Sequence, residues 1–119
     1  HALGLPVIAW IYPRGKAVAD KEPSLLMAYA ARVALELGAD MVKLHWNGNK
    51  NDLAWAVKAA GRTHVVVAGG MKTDTKTFLK QVREAMSVGV AGLAIGRNVW
   101  QAKDPLKIAR GVREILWKK

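Results

Sequence analysis

The stretch Thr63-His-Val-Val-Val-Ala-Gly-Gly70 decides the fold class of this chain. Its run of β-branched residues is too short for a helix, and it stops at two glycines, which commonly end regular structure. Helical patterns lie on both sides of it. A buried strand between two helices is the repeating unit of proteins with a parallel sheet, so we expect an α/β fold.

The two flanking helices have recognisable ends. The helix before the stretch is predicted from Asn51, which can cap it, to Ala60, with Gly61 closing it. The helix after the stretch is predicted to be capped by Asp74 or Thr75. Its apolar residues recur at helical spacing and predict a buried stripe of Phe78, Leu79, Val82 and Met86.

The alternation of strand and helix continues in both directions along the chain. Further apolar runs predict strands over Leu5–Tyr12, Asp40–Trp46 and Val90–Ile95. A helix is predicted over Ser24–Leu37 from the spacing of Leu26, Tyr29/Ala30, Val33 and Leu37. A last helix opens at Asp104-Pro105 and carries Ile108, Val112 and Ile115/Leu116.

Four strand–helix units in 119 residues are compatible with an open doubly wound sheet or with part of a (β/α)8 barrel. A whole barrel takes about 250 residues, so four units make half of one. We expect a single domain over residues 1–119. Because the first residue is His1 rather than Met, we also expect the chain to be a piece of a longer protein or an engineered product.

The composition narrows the classes of function. Lys and Arg outnumber Asp and Glu by 19 to 9, a net charge of +10 that attracts anions and makes nucleic acid a candidate ligand. The charges are spread along the chain without basic runs, which favours a small phosphorylated substrate instead. Cysteine is absent, no apolar run reaches membrane-helix length, and the three histidines lack metal-ligand spacing. We expect a cytoplasmic protein without a metal, a cofactor or a membrane partner.

Lys43 stands out because of its place in the second predicted strand. Side chains alternate along a strand, so the apolar Val42 and Leu44 face the helices while Lys43 faces the inner side. An ammonium group is costly to bury there, and a neutral amine in a pocket is the form that attacks a carbonyl. From periodicity alone, a lysine that reaches water or pairs with a carboxylate is an equally good interpretation.

The first predicted strand carries two aromatic residues, Trp10 and Tyr12, on one face at its carboxyl end. The carboxyl ends of barrel strands form the active site. Taken alone, an aromatic pair on a strand more often packs in a core, so position alone does not make these two residues catalytic.

Four motifs resemble those of one enzyme family, the archaeal-type class I fructose-bisphosphate aldolases of the DeoC/FbaB superfamily. The run Leu5-Pro-Val-Ile-Ala-Trp-Ile-Tyr-Pro-Arg-Gly15 resembles their fifth barrel strand, and Ala28-Tyr-Ala-Ala-Arg-Val-Ala-Leu-Glu-Leu-Gly-Ala-Asp40 with Met41-Val-Lys43 resembles the next helix and the sixth strand. The seventh and eighth strands with their loops are matched by Val65-Val-Val-Ala-Gly-Gly-Met-Lys-Thr73 and Ala94-Ile-Gly-Arg-Asn-Val-Trp-Gln101. The resemblance implies the C-terminal half of a TIM barrel, strands 5 to 8.

The resemblance also implies roles for single residues. Lys43 matches the lysine that forms a Schiff base with dihydroxyacetone phosphate, and Tyr12 matches the proton-transfer residue. Trp10 matches the aromatic residue that positions Tyr12 and the substrate. In the intact enzyme the reaction is the reversible cleavage of fructose 1,6-bisphosphate into dihydroxyacetone phosphate and glyceraldehyde 3-phosphate. The residues matched or considered for phosphate binding are Gly69, Gly70, Gly96 and Arg97, with Lys72 and Arg14 as weaker candidates.

Two stretches depart from the family pattern. After Lys43, family members often continue with Lys-Tyr-Thr-Gly, whereas this chain has His45-Trp-Asn-Gly48. An inward histidine therefore replaces an inward lysine. The phosphate loop begins with Ala68, where some relatives have serine, so one hydroxyl ligand is lost.

Several alternatives stay open at the level of the sequence. The related archaeal synthase that makes an amino-dideoxy-heptulosonate by a transaldol step has the same barrel. A non-catalytic half-barrel that oligomerises and binds anions belongs to a different class, and a basic nucleic-acid-binding domain is the least favoured. Because half a barrel leaves two sheet edges open, we expect a homodimer of half-barrels or association with a missing N-terminal half.

Overall fold

The computed structural model describes residues 1–117. Its core is one sheet of four parallel strands in chain order, β1 to β4, so that each strand pairs with the next. The strands are β1 (Ile8–Trp10), β2 (Met41–His45), β3 (His64–Ala68) and β4 (Gly92–Ala94). The helices are α1 (Pro23–Glu36), α2 (Lys50–Ala59), α3 (Thr75–Ser87), α4 (Arg97–Trp100) and α5 (Pro105–Leu116).

The hydrophobic core lies between the helices and one face of the sheet. Val42 and Leu44 of β2 are fully buried, as their alternation predicts, and they pack with Val65 and Val67 of β3 against α1 and α2. A second cluster, which includes Phe78 and other residues of α3 and α5, continues this core. The sequence prediction that helices cover this face is confirmed.

The opposite face of the sheet is open. Ile8 and Trp10 of β1 point to this inner face and remain 52% and 68% exposed. A doubly wound sheet would bury both faces under helices. An all-parallel sheet with helices on one side and an open apolar inner face is half of a (β/α)8 barrel, as the sequence predicts.

Both edge strands are shorter than their apolar runs. The predicted strand Leu5–Tyr12 is paired only over Ile8–Trp10, and Val90–Ile95 only over Gly92–Ala94. An edge strand pairs with one neighbour, so its backbone hydrogen bonds stop where the two strands move apart. At the start of β1 the backbone N–H of Val7 donates instead to the Asp40 carboxylate, at 2.7 Å.

Of the residues that predict helix α1, only Ala30 is among those that the helix buries. Tyr29 and Leu37 are exposed, whereas the alanines at positions 30, 31 and 34 are almost completely buried. Small side chains let α1 lie close to both β2 and α2, which it contacts along its length. On α3 the predicted stripe is confirmed for Phe78 and Val82, while Leu79 and Met86 are half-buried beside Ala85.

The N-terminal caps also differ in one place from the sequence prediction. Helix α2 begins at Lys50, and Asn49 rather than Asn51 caps it: the Asn49 side chain accepts from the N–H groups of residues 51 and 52. The indole N–H of Trp46 donates to the Asn49 carbonyl at 2.8 Å, so the turn ends two residues earlier than predicted. Asp74 caps α3 and Asp104 caps α5, as the sequence predicts.

Acid is expected to weaken the Asp74 cap. The side chain of Thr77 and then its backbone N–H, which lies 3.0 Å from Oδ1, hold the pKa of the Asp74 carboxyl below its ordinary value. The charged form therefore stabilises the folded chain above the unfolded pKa, about 3.9. That contribution is lost as the pH falls through the folded pKa. We expect Asp74→Ala to lower the urea midpoint at pH 7 and to differ progressively less from the parent towards pH 2.

Asp20→Ala is the matched control, because Asp20 is exposed and, within residues 1–117, forms a salt bridge only with the neighbouring Lys21. It should leave the midpoint almost unchanged at both pH values. If Asp74→Ala lowers the urea midpoint by the same amount at pH 7 and at pH 2, the charge of the carboxylate plays no part in the cap.

Within residues 1–117, no helix has both the length and the hydropathy needed to cross a membrane. The same residues contain no group of three or more His, Asp or Glu side chains arranged to hold a metal ion.

Candidate active site

Lys43 lies on the inner face of β2, in register with Trp10 of β1 and Val66 of β3. It is half-buried, and its Nζ lies 3.7 Å from the centroid of the Trp10 ring. No carboxylate of residues 1–117 forms a salt bridge with it. An aromatic face attracts an ammonium group, so the ring holds the end of this side chain in one position. The alternative in which Lys43 pairs with an acid does not apply to these residues.

Tyr12 and Arg14 follow β1 at the same end of the sheet. Arg14 lies with its Cζ 5.8 Å from the centroid of the Tyr12 ring, and Tyr12 is half-buried. The face shared by Trp10 and Tyr12 is therefore the open face of the sheet, not a packed core. This arrangement leaves both rings available to a ligand.

The glycine pair after β3 brings the backbone close to the neighbouring loop. The N–H of Gly69 donates to the Ala94 carbonyl at 3.1 Å, and a Cβ at Gly69 would lie 3.2 Å from the Ile95 Cα. Gly70 has a φ of +62°, a conformation that side chains disfavour. Both positions therefore have a local reason to be glycine.

Arg97 joins the loop after β4 to the loop after β3. Its Nη2 donates to the Gly70 carbonyl at 3.0 Å, and its Nη1 lies 3.8 Å from the sulfur of Met71. The side chain is exposed. The Trp100 ring lies directly against Gly96, where an added Cβ would come within 2.3 Å of a ring carbon.

Asn98 is the residue that the sequence prediction missed. It is 5% exposed, and its Nδ2 donates to the carbonyls of Gly69 and Met71 at 2.7 and 3.0 Å. Its Oδ1 accepts from the Thr73 N–H at 2.9 Å. One side chain thus holds three backbone groups of the glycine loop. The signal in the sequence was an asparagine directly after Gly-Arg, which the prediction treated as part of an ordinary loop.

The carboxyl ends of the strands enclose a groove of about 500 Å³. Most of the residues predicted for the site line it: Tyr12, Arg14, Lys43, Gly69, Gly70, Gly96 and Arg97. Trp10 does not line the groove but touches Lys43 from the side. His45, the departure from the family pattern, is exposed and lines the same groove.

Lys72 is not part of this groove. Its Nζ donates to the backbone carbonyl of Gln101, and the side chain lines a different groove beside Lys103 and Lys107. The loop turns it away from the glycine pair that precedes it. The structure thus gives no support to a contact between Lys72 and a phosphate held at Gly69 and Gly70.

Comparison with known proteins assigns the chain to a family. Residues 1–102 match the family model described as DeoC/LacD family aldolase. The chain belongs to the DeoC/LacD family of aldolases. Among curated members, the class 1 fructose-bisphosphate aldolase of Thermoproteus tenax is 47% identical over 114 residues, which are 95% of this chain and 43% of that protein.

Solved structures of DeoC/LacD aldolases agree with this membership. A crystal structure of an archaeal fructose 1,6-bisphosphate aldolase superposes with a TM-score of 0.92 at 44% identity, over 99% of this chain and 47% of that one. An archaeal fructose-1,6-bisphosphate aldolase with its catalytic lysine covalently bound to a carbinolamine intermediate superposes with a TM-score of 0.91 at 44% identity, over 97% of this chain and 46% of that one. The chain therefore spans less than half the length of the relatives it matches, and its fold is half of an aldolase barrel.

Proposed function

We propose that this chain is the C-terminal half of a class I fructose-1,6-bisphosphate aldolase and carries its Schiff-base lysine. One observation supports this above the others. Lys43 lies at the carboxyl end of the sheet without a carboxylate partner among residues 1–117, held against Trp10 and open to the groove. Such a lysine serves no evident structural purpose, whereas a positioned amine suits attack on a carbonyl.

The chemistry begins with the Lys43 amine. Its lone pair attacks the ketone carbon of the sugar phosphate, and loss of water from the carbinolamine leaves an iminium ion. The iminium accepts the electron pair of the carbon–carbon bond that breaks, so cleavage yields an enamine on Lys43 and a free aldehyde. Hydrolysis of the iminium re-formed from that enamine releases dihydroxyacetone phosphate and restores the amine.

Tyr12 is proposed to move the proton at the bond that breaks. In the cleavage direction the hydroxyl on the leaving carbon must lose its proton as the aldehyde forms. Tyr12 lines the groove beside Lys43, which supports this role. General acid–base catalysis by a positioned group contributes about 10²- to 10⁴-fold to a rate.

The phosphate is proposed to bind at the other side of the groove. Backbone N–H groups at Gly70 and Gly96 can approach an anion closely because these residues carry no side chains, whereas the Gly69 N–H already donates to the Ala94 carbonyl. Arg97 uses one nitrogen for the Gly70 carbonyl, and its remaining N–H groups are suited to charge-assisted bonds with phosphate oxygens. Arg14, across the groove, is proposed to meet the second phosphate of the bisphosphate.

A closed barrel is proposed as the active form. The outer edges of β1 and β4 have no partner strand among residues 1–117, and the inner face exposes Ile8 and Trp10. Unpaired edges and an open apolar face are unfavourable in water. A second copy of this chain or a complementary half would cover both.

Borohydride trapping tests this function directly. The chain is incubated with dihydroxyacetone phosphate, reduced with borohydride and digested, and the modified peptide is located by mass spectrometry. We expect one adduct, on Lys43, because reduction of an iminium makes a stable secondary amine. Size-exclusion chromatography of the same sample assigns the adduct to a monomer or to a larger assembly.

The number of lysines in the chain provides an internal control. Random modification would label exposed lysines such as Lys50 and Lys58 in the same digest. Labelling spread over these residues, or no labelling of a folded sample, would contradict the proposed function. Addition of glyceraldehyde 3-phosphate before reduction should shift part of the Lys43 adduct to the mass of the hexose bisphosphate, because the aldol product remains on Lys43 as an iminium.

A further inference from the structure

The groove around Lys43 contains few groups that exchange protons near neutral pH. Arg14 and Arg97 carry guanidinium groups, which donate hydrogen bonds and accept none. Among the residues that line the groove there is no carboxylate. His45 is the one imidazole among the lining residues, and its two ring nitrogens can donate and accept protons.

His45 lies two residues after Lys43 on β2. The two residues are alternate members of β2 and face the same side, about 7 Å apart along the strand. Both line the same groove. His45 makes no side-chain hydrogen bond with residues 1–117, so both ring nitrogens are available within the described chain.

The backbone that carries His45 is fixed immediately beyond it. The indole N–H of Trp46 donates to the Asn49 carbonyl at 2.8 Å, and the N–H of Asn49 donates to the Asn47 side chain at 2.9 Å. On the other side, Leu44 is buried in the core. The imidazole therefore extends from a rigid point at the mouth of the groove, as a proton-transfer group requires.

We infer that His45 transfers the protons of Schiff-base formation at Lys43, an inference that rests on the proposed function. Nothing in the resemblance assigns this role, because the family commonly has lysine at this position. A lysine there is charged at neutral pH and accepts no proton. The groups that face His45 are Tyr12, Arg14, Lys43 and Arg97, and none of them is an acid that would compete for the imidazole.

His45 transfers protons in two steps, the formation of the carbinolamine and the loss of water from it. When the neutral amine attacks the ketone, the new bond leaves a positive nitrogen and a negative oxygen. Neutral His45 takes the proton from nitrogen and returns it to oxygen, which gives the carbinolamine. Protonated His45, recharged from solvent, then donates to the carbinolamine hydroxyl, and water leaves as the nitrogen lone pair forms the iminium. Overall, one proton from solvent is consumed and one water is released.

The test is the rate of adduct formation with dihydroxyacetone phosphate, sampled by borohydride quench between pH 5 and 9. For the parent chain we expect the rate to pass through an inflection within this pH range. His45→Gln should lower the rate at saturating ketone by about 100-fold near neutral pH and remove that inflection. His64→Gln is the matched control, because His64 is exposed on the same sheet face at the opposite end of β3. It should keep the parent rate and profile.

The outcomes separate this inference from the proposed function. If the parent chain forms no Lys43 adduct, the proposed function fails, and the role of His45 fails with it. If the parent is labelled and His45→Gln matches it in rate and pH profile, the inference alone is wrong. It is also wrong if the substitution only raises the half-saturating ketone concentration, since that would make His45 a ligand of the phosphate and not a proton carrier.

Discussion

Lys43→Arg is expected to abolish the trapped adduct. Arginine keeps the positive charge and nearly the length of lysine, and it can still stack on the Trp10 ring that lies 3.7 Å from Lys43 Nζ. Its guanidinium is always protonated, however, and has no lone pair available for attack on a ketone. The substitution therefore removes the nucleophile while it preserves charge and contact. We expect labelling by dihydroxyacetone phosphate to fall by roughly 10³-fold or more.

Lys72→Arg is the control for this experiment. Lys72 is a lysine at the same end of the sheet, but its amine bonds to the Gln101 carbonyl outside the groove. Its substitution should leave the labelling rate unchanged. If Lys43→Arg still forms an adduct on another lysine at the parent rate, Schiff-base formation does not depend on Lys43.

Asn98→Ala is expected to cause the largest loss of stability among substitutions at the candidate site. The side chain is 5% exposed and bonds to the carbonyls of Gly69 and Met71 and to the N–H of Thr73. Alanine leaves these three partly buried backbone groups without that partner. We expect the free energy of unfolding to fall by about 2–4 kcal/mol, measured by urea denaturation.

Asn51→Ala is the matched control, because Asn51 is exposed in the first turn of α2 and its side chain makes no hydrogen bond with residues 1–117. It should change the free energy of unfolding by no more than about 0.5 kcal/mol. Asn98→Asp adds a second variant. It keeps the acceptor for Thr73 but turns an oxygen towards two carbonyls, so it should also destabilise the chain. A loss below about 1 kcal/mol for Asn98→Ala would mean that water replaces the amide.

Much of the fold was predictable because it depends on local patterns. The alternation in β2 buries Val42 and Leu44 and leaves Lys43 on the inner face, which the structure confirms. Aspartates before Thr75 and Pro105 cap α3 and α5 as predicted. The Asn51 cap was wrong because the Trp46–Asn49 hydrogen bond ends the preceding turn early, and propensity does not report such a bond.

The sequence predicted most residues of the candidate site but fewer of the contacts that orient them. Resemblance to a family supplied Lys43, Tyr12 and the glycine loops, and the groove contains them. The same prediction included Lys72, which the structure turns towards Gln101. Along the sequence a lysine two residues after a glycine pair is close to the loop, but the direction of its side chain depends on the neighbouring segment.

The sequence by itself determined the order of strands and helices, the helix-facing side of each strand and the inward position of Lys43. These features follow from the alternation of side chains along a strand and from the helical repeat of about 3.6 residues. Only the tertiary structure decided that the Trp10 ring holds the Lys43 amine, that Lys72 leaves the groove, and that Asn98 ties together a loop 29 positions away. These contacts join residues from different strand–helix units. Their geometry depends on how the units pack, and no local pattern encodes it.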